Sequence, residues 1–487
     1  MSENLYLTLA RGFADHPDKC CLQLADGGAW SFRELDTLSA RMATVLLDRA
    51  GAGERVLMQV EKCPEAVALY LACLRAGLVL LPLNTAYTDT ELDYFREDAQ
   101  PALEIDDAGL RRLCLECSRV APLEDTSEVS NDSLAAILYT SGTTGRSKGA
   151  MLSHDNLRSN ALALHSLWGF EADDVLLHAL PIYHVHGLFV ALNTALMNGS
   201  TILFLPRFDV SLVLAQLPAA TVMMGVPTFY SRLLESEAFN AESCIGMRLF
   251  ISGSAPLNEQ TFADFEARTG HRILERYGMS ETGMLSSNPL QGERLAGSVG
   301  YALPDVELRV CDDQGQALPE GEVGVVEARG PNVFRGYWQM PEKTAAEFRE
   351  DGFFITGDLG RLDADGRLWL VGREKDLIIS GGLNVYPKEV ELCLDAVEGV
   401  RESAVIGVPH ADFGEAVVAV WVPAQGTAIN EAQLEAALTG QLARFKQPKA
   451  YIQREDLPRN TMGKVQKNLL REQYRDWFVS ADAAAAR

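Results

Sequence analysis

Residues 137–156 read ILYTSGTTGRSKGAMLSHDN: a short apolar run, then a stretch dense in glycines and hydroxyls that carries a lysine. Backbone N–H groups left open by glycine, together with serine and threonine hydroxyls, are the donors that wrap phosphate oxygens. Thr140, Ser141, Gly142, Thr143, Thr144 and Ser147 supply them here, and Lys148 adds positive charge. The P-loop pattern G-x-x-x-x-G-K-[ST] opens directly into a helix. This segment departs from it, because Ser147 rather than glycine precedes Lys148 and Gly149 follows. The run 135–139 suits a buried strand, and the helix expected over NLRSNALALHSLWG starts at Ser153 or Asp155, both good caps. Lys148 is therefore expected away from a helix mouth. The loop is expected to grip the β- and γ-phosphates of ATP, although composition alone leaves a ligand-free surface turn equally open.

Four later segments carry side chains of the kind nucleotide chemistry uses: RYGMSET (276–282), ITGDLG (355–360), GREKDLIISGGLNVYPKEVE (372–391) and PRNTMGKVQK (458–467). Taken singly, each has a plain reading. Tyr277 would be a core ring, Glu281 a surface carboxylate, Asp358 a turn residue, Gly381 and Gly382 a turn, and Lys464 a solvated helix-start residue. Taken in this order after TSGTTGRSKG (140–149), they resemble the signature set of adenylate-forming enzymes, which include acyl-CoA synthetases, peptide-synthetase adenylation domains and luciferases. The resemblance covers nearly the whole chain.

That resemblance implies attack of a carboxylate on the α-phosphate of ATP, release of pyrophosphate, and displacement of AMP from the acyl-adenylate by a thiol. ATP, Mg2+ and CoA are the implied small molecules. Two anions must approach each other, so positive charge must sit where the transition state gathers negative charge. Carried over by motif, Lys464 reaches the α-phosphate and the carboxylate, and Glu281 is the magnesium ligand, a hard oxygen donor. Tyr277 stacks on adenine, with Gly278 and Ser254 in the same nucleotide site. Ser280 stands where the family more often has threonine and keeps a hydroxyl for the α-phosphate, while Asp358 and Arg373 form the ribose-hydroxyl pair. Lys375 is the hinge between domains. Gly381 and Gly382 lie on a segment that faces the active site only after the small domain rotates, where glycine lets the pantetheine thiol pass close to backbone.

The acyl pocket is expected along IYHVHGLFVALN (182–193), GVPTFY (225–230), SGSAP (252–256) and the residues after Glu281. A long-chain fatty acid needs an apolar tunnel. This region instead carries His184 and His186, followed by GMLSSNPLQGERLAGSVG (283–300) with Arg294. A fixed guanidinium pairs bidentately with a second carboxylate, and leaving that carboxylate buried and unpaired would cost roughly several kcal/mol. These stretches, with LPLNTAYTDTELDYF (81–95) and PRNTMGKVQK, resemble malonyl-CoA synthetases, which ligate malonate and often methylmalonate to CoA. By that resemblance Arg294 is the partner of the distal carboxylate, with His186 and Ser286 beside it. His184 is an aromatic-type gate near the acyl site. The bland alternatives are a surface-loop arginine and a satisfied structural histidine.

The elements that must position these residues follow from hydrophobic period. SFRELDTLSARMATVLLDRA (31–50) has helical spacing after Ser31, with Glu34 three residues on, as in a capping box. RVLMQV (55–60), PEAVALYLACLRAG (64–77) and LVLLPLN (78–84) read strand, helix, strand. The rhythm recurs over 175–253, which predicts βαβ units around a mostly parallel sheet. From about 300, VELRVCD, GEVGVVEARG and GRLDADGRLWLVGR alternate apolar and polar residues between Asp-Gly and Pro-Glu-Gly turns, which predicts a small antiparallel unit. The expected architecture is α/β. A large N-terminal AMP-binding domain (1–374) has mixed and parallel sheets flanked by helices and an antiparallel subdomain over about 300–374. A small mobile α+β C-terminal domain (375–487) follows the hinge at Lys375.

The chain has 487 residues, too many for one compact core. Its net charge of −24 argues against non-specific binding to nucleic acid or to anionic membranes, and requires a local positive cluster for any anionic substrate. The nine cysteines have no framework spacing, and the lone CxxC at Cys114 and Cys117 has no second pair, which fits a reducing compartment. No signal or transit peptide and no membrane span is expected, so a cytoplasmic location is. The leading expectation is an ATP-dependent malonate–CoA ligase. The alternatives are ligation of another short, medium-chain or aryl acid, loading of a carrier protein, and a non-catalytic nucleotide-binding homologue. Acetylation of Lys464 by a lysine acetyltransferase, reversed by a deacetylase, would remove its charge and with it the first half-reaction.

Overall fold

The computed structural model describes residues 4–140, 147–410, 412–427, 429–439, 441–460 and 463–478. Near the start, Ser31 caps the helix Phe32–Leu47 in a reciprocal pair with Glu34, as the spacing predicts. Strand Arg55–Gln59, helix Pro64–Ala76 and strand Val79–Pro82 form a βαβ unit. The helix is apolar nearly all round and is correspondingly buried. It opens on a proline and ends at Gly77, whose φ of 66° is the left-handed conformation that closes a helix.

Those two strands belong to a five-stranded sheet, ordered Leu103–Asp106, Arg55–Gln59, Val79–Pro82, Leu134–Thr140, Lys148–Ser153. All its pairs are parallel except the last. A second sheet places Cys20–Leu24, Thr201–Phe204, Val175–His178, Val222–Gly225, Leu249–Ser252 and Leu274–Met279 side by side in parallel. Strands Val222–Gly225 and Leu249–Ser252 are buried at every residue, as strands covered on both faces must be. Past Leu274–Met279 the pairing becomes antiparallel, through Gly283–Ser287, Ser298–Ala302, Leu368–Arg373, Phe354–Leu362 and Gly324–Arg329 to Glu307–Cys311. Antiparallel pairing thus starts earlier than the change of sequence texture near 300. Gly283, at φ 58°, turns the chain back directly after the RYGMSE segment.

The C-terminal part builds a third sheet, in which Val400–His410 and Gly414–Pro423 form a long antiparallel pair flanked by Ile378–Ser380 and Ala450–Gln453. Val405, Val417 and Ala419 pack with helices Pro387–Asp395 and Glu431–Leu438 on one face. Ala404, Ile406, Val418 and Val420 pack with Leu470 on the other. The period of two along each strand is what covers both faces. The last helix is Lys467–Gln473. The protein is therefore an α/β molecule with a large N-terminal sheet domain and a small C-terminal one. Among the described residues no helix is long and apolar enough to cross a membrane.

Candidate active site

The glycine-rich loop joins two antiparallel strands, with Thr140 opposite Lys148 across the hairpin. Ser141, Gly142, Thr143 and Thr144 lie outside the described residues. The following helix, His154–Leu167, is capped by Ser153 in a reciprocal pair with Asn156, so Lys148 begins a strand and is not at a helix mouth. Its ammonium lies 4.0 Å from the centre of the Tyr337 ring and 3.3 Å from Glu347. Tyr337 Oη lies 2.6 Å from Glu347 Oε2 and 3.1 Å from Glu281 Oε1. Glu281 is buried, and desolvation raises its pKa. Thus the carboxylate expected to serve a cation and the lysine of the phosphate loop share one neighbour.

Tyr277 ends a run of buried residues on strand Leu274–Met279. Its hydroxyl donates to Asp358 Oδ2 at 2.5 Å, and the other Asp358 oxygen meets Arg373 Nε at 2.6 Å. Asp358 and Arg373 are cross-strand partners on Phe354–Leu362 and Leu368–Arg373. Burial, and then Asp358, pushes the Tyr277 phenol far above its ordinary pKa, so it remains a donor. A Cβ at Gly278 would fall 2.0 Å from the Gly283 carbonyl oxygen, so only glycine allows the tight return that places Ser280 and Glu281 in the turn.

Lys464 sits on a short hairpin, where Lys464 N donates to the Asn460 side chain and Asn460 N donates back to Lys464 O, both at 2.9 Å. Gly463, at φ 72°, approaches the N-terminal domain so closely that a Cβ would lie 2.8 Å from Thr228 Oγ1. Asn258 Nδ2 and Asp395 Oδ2, 3.2 Å apart, join the same two domains elsewhere. By surface area Lys464 is exposed, yet desolvation, Arg373 and Lys375 together lower its pKa to about 8. Lys464, Asp358, Arg373 and Lys375 are thus close enough to perturb one another.

The expected acyl-pocket segments converge on Arg276, which the motif reading passed over. Its guanidinium lies beneath Gly253, where a Cβ would fall 2.4 Å from the central carbon. The side chain is buried, Nε and Nη2 have no hydrogen-bond partner among the described residues, and desolvation lowers its pKa to about 9. His186 is fully buried, its Nδ1 is 3.3 Å from Ser254 Oγ, and its Nε2 has no partner among the described residues. Burial and then Arg276 hold His186 neutral, far below the ordinary imidazole pKa. Ser252 Oγ, at the end of strand Leu249–Ser252, is a further buried atom unpartnered among the described residues, and Ser254 adopts φ 70°, a strained value for a residue other than glycine. His186 opens a π-helical turn, His186–Leu192, a geometry found often at functional sites. His184 precedes it, its pKa lowered to about 4 by burial and its ring 4.7 Å from Tyr183.

Arg294 is not among these groups. Its guanidinium donates to three backbone carbonyls, those of Pro289, Arg272 and Leu290, at 3.1, 2.6 and 2.8 Å. That engages the whole fork in holding its own loop. The Ser286 hydroxyl donates to the Val299 carbonyl at 2.9 Å. Lys375 lies in the turn Glu374–Asp376 between Arg373, paired with Asp358, and Asp376, paired with Arg471 of the C-terminal domain. Gly381 and Gly382, at φ 60° and 80°, turn a hairpin that leaves Ile379 and Leu383 exposed.

Tyr337 and Glu347 also escaped the sequence reading, since nothing local marks them. Arg276 carried a usable signal: next to Tyr277 on a strand, it must face the opposite side of the sheet, where Gly253 and His186 of the expected acyl-pocket segments lie.

Comparison with known proteins follows the same division of the chain. The family described as AMP-binding enzyme matches residues 9–338, and the AMP-binding enzyme C-terminal domain matches 389–464. The mitochondrial malonate–CoA ligase ACSF3 of Bos taurus is 36% identical, covering 86% of this chain and 82% of that protein. The ATP-bound structure of MatB from Rhodopseudomonas palustris is 53% identical, with a TM-score of 0.95 over 98% of this chain and 100% of that one. Against the apo structure of MatB, at the same identity and coverage, the TM-score is 0.84. The present arrangement is therefore nearer the ATP-bound form, in keeping with the docking of the Gly463–Lys464 loop on Thr228.

Proposed function

Because this chain belongs to the AMP-binding enzyme family, we propose that it is an ATP-dependent malonate–CoA ligase that forms malonyl-AMP and then malonyl-CoA. The observation that carries the choice of acid is Arg276, a buried guanidinium with two nitrogens unpartnered among the described residues, at the meeting point of the expected acyl-site segments. A buried cation without a counter-ion is costly, and the distal carboxylate of malonate supplies the missing anion. We assign that carboxylate to Arg276, with His186 beside it, and give Arg294 a structural role. With Ser254 donating to Nδ1, His186 offers its Nε2–H to the same carboxylate. Methylmalonate differs by one methyl group and is accepted by the same pair. Ser286 lies opposite Tyr277 in the strand register and supports the pocket wall. His184 gates the acyl entrance.

In the first half-reaction a proximal carboxylate oxygen of malonate attacks the α-phosphorus, the bond to the bridging oxygen breaks, and pyrophosphate leaves. Lys464 brings its ammonium to the α-phosphate, where negative charge accumulates. Arg373 and Asp358 hold the ribose, Tyr277 and Gly278 border the adenine, and the Ser280 hydroxyl meets the α-phosphate. Thr140 and Lys148 stand at the two ends of the phosphate hairpin, whose hydroxyls hold the departing pyrophosphate.

Glu281 fits a magnesium ion. It is a buried hard-oxygen donor with no ion pair among the described residues, and a single carboxylate suits a cation that keeps phosphate and water ligands. When bound, magnesium neutralises phosphate charge. In the second half-reaction the CoA thiolate attacks the malonyl carbonyl carbon and AMP leaves with the electron pair. We place the pivot for that step at Lys375, between an ion pair of each domain. The glycines at 381 and 382 then face the thiol path. The nine free cysteines support a reducing, cytoplasmic setting. Acetylation of Lys464 would silence the first step only.

ATP–pyrophosphate exchange with malonate, methylmalonate, acetate, octanoate and benzoate tests the reading. Malonate is expected to drive the fastest exchange, and preference for acetate, octanoate or benzoate would overturn it.

A further inference from the structure

The hydroxyl of Tyr337 touches two carboxylates, and its ring carries the ammonium of the phosphate loop. A phenol has one proton. The contact of 2.6 Å directs it to Glu347, and the contact of 3.1 Å leaves Glu281 more loosely held. Glu347 is also paired with Lys343 at 2.6 Å, while Lys148 stands 3.3 Å away. A charge-assisted bond of full strength is shorter, about 2.7–2.9 Å. Lys148 is therefore parked on Glu347 and is not locked there.

The backbone ties the same groups together. Phe334 N donates to the Glu281 carbonyl at 2.8 Å, and Trp338 N to the Gly149 carbonyl at 2.7 Å. Arg335 N donates to Met151 O, and Met151 N to Gly336 O, at 2.9 and 3.0 Å. Segment 334–338 thus bridges the Glu281 turn to the strand that begins at Lys148. Tyr337 is held in place by Thr344, which accepts its N–H at 2.9 Å, and by the Phe334 ring at 4.9 Å.

We propose that Tyr337, braced by Glu347, is the positioning residue that couples cation binding at Glu281 to phosphate binding at Lys148. With a cation on Glu281, that carboxylate turns away from the phenol, its 3.1 Å contact is lost, and the bond the hydroxyl already makes to Glu347 strengthens. Glu347 then holds Lys148 less tightly, and the ammonium is released toward the nucleotide phosphates. The coupling is reciprocal, so nucleotide also raises cation affinity. The proposal rests on the reading of Glu281 as the cation ligand.

The test is calorimetric titration of ATP, with and without Mg2+ and with no acid present, on the full chain and two variants. Tyr337→Phe keeps the ring and removes the hydroxyl. It is expected to cut the Mg2+-dependent gain in ATP affinity about tenfold, the scale of one hydrogen bond to a charged group, with a smaller loss of affinity in the absence of Mg2+. Glu347→Gln is expected to raise metal-free ATP affinity about fivefold by releasing Lys148, and to reduce the Mg2+-dependent gain as well. An unchanged gain in Tyr337→Phe, or equal loss with and without Mg2+, would overturn the proposal. Should Tyr337→Phe fail to fold, Glu347→Gln decides alone, and unchanged metal-free affinity there overturns it. If the unaltered chain bound no ATP, the function reading would fall and this proposal with it. ATP binding without the predicted coupling sinks the proposal alone.

Discussion

Asp358 and Arg373 face each other directly across two antiparallel strands, carboxylate to guanidinium at 2.6 Å. Tyr277 closes on the second carboxylate oxygen, so both Asp358 oxygens have a partner within the protein. The next ion pair along the chain, Asp376 with Arg471, belongs to the C-terminal domain. Two residues, Glu374 and Lys375, separate the last anchor of one domain from the first anchor of the other.

Replacing Asp358 by alanine strips Arg373 and Tyr277 of their common partner. The KM for ATP is expected to rise on the order of a hundredfold, as for loss of a charged hydrogen-bonded pair. The KM for malonate should barely move. Steady-state kinetics with each substrate varied in turn separates the two.

Arg276 and Arg294 make opposite predictions. Arg276→Ala is expected to lower kcat/KM for malonate by roughly 100-fold or more, the scale of a buried charge pair losing one member, while ATP affinity is retained. Arg294→Ala removes donors from three carbonyls and is expected to cost about 1–3 kcal/mol of stability with little change in acid preference. Thermal unfolding alongside an acid panel distinguishes a positioning loop from a substrate contact.

The depressed pKa of Lys464, about 8, gives a sign for pH dependence. The first half-reaction needs the ammonium, which is present below that value and lost as pH rises through it. For the free enzyme, kcat/KM for adenylation is expected to fall about tenfold per unit above the limb. Lys464→Arg should retain some adenylation and remove the limb from this range, because arginine stays charged. A limb unmoved in the arginine variant would assign the titration elsewhere.

Gly463 tests whether the seen arrangement is the adenylating one. Alanine there must bear φ 72° and press on Thr228, a contact between domains. Adenylation is expected to slow by about tenfold, on the scale of one to two kcal/mol of strain. Thioester formation from supplied malonyl-adenylate should proceed nearly unchanged, because the proposed pivot at Lys375 carries this contact away before that step.

Much of the fold was legible because it rests on local rules. The Ser31–Glu34 box, the proline opening of Pro64–Ala76 and the apolar strands over 175–252 follow from capping and period. The Asp358–Arg373 pair lies where two separate motifs meet, and only the register of the strands brings them into contact. Residues whose role depends on distant packing were not legible. Tyr337 and Glu347 matter only because segment 334–338 lies along the hairpin strand Lys148–Ser153, almost two hundred positions earlier. Arg294 is expected as the distal-carboxylate partner only through resemblance, and what engages it is backbone, which carries no sequence signal. Arg276 was hidden beside Tyr277, whose motif drew attention to the opposite face of the same strand.

The central claim is that this enzyme recognises malonate through its second carboxylate at Arg276. Malonamate has the same shape with that carboxylate replaced by a neutral amide, so comparing kcat/KM for the two acids isolates the charge. Malonate should be preferred by roughly 100-fold or more in the unaltered enzyme, and the preference should collapse in Arg276→Ala. Equal use of the two acids by the unaltered enzyme, or a preference that survives in the variant, would contradict the account.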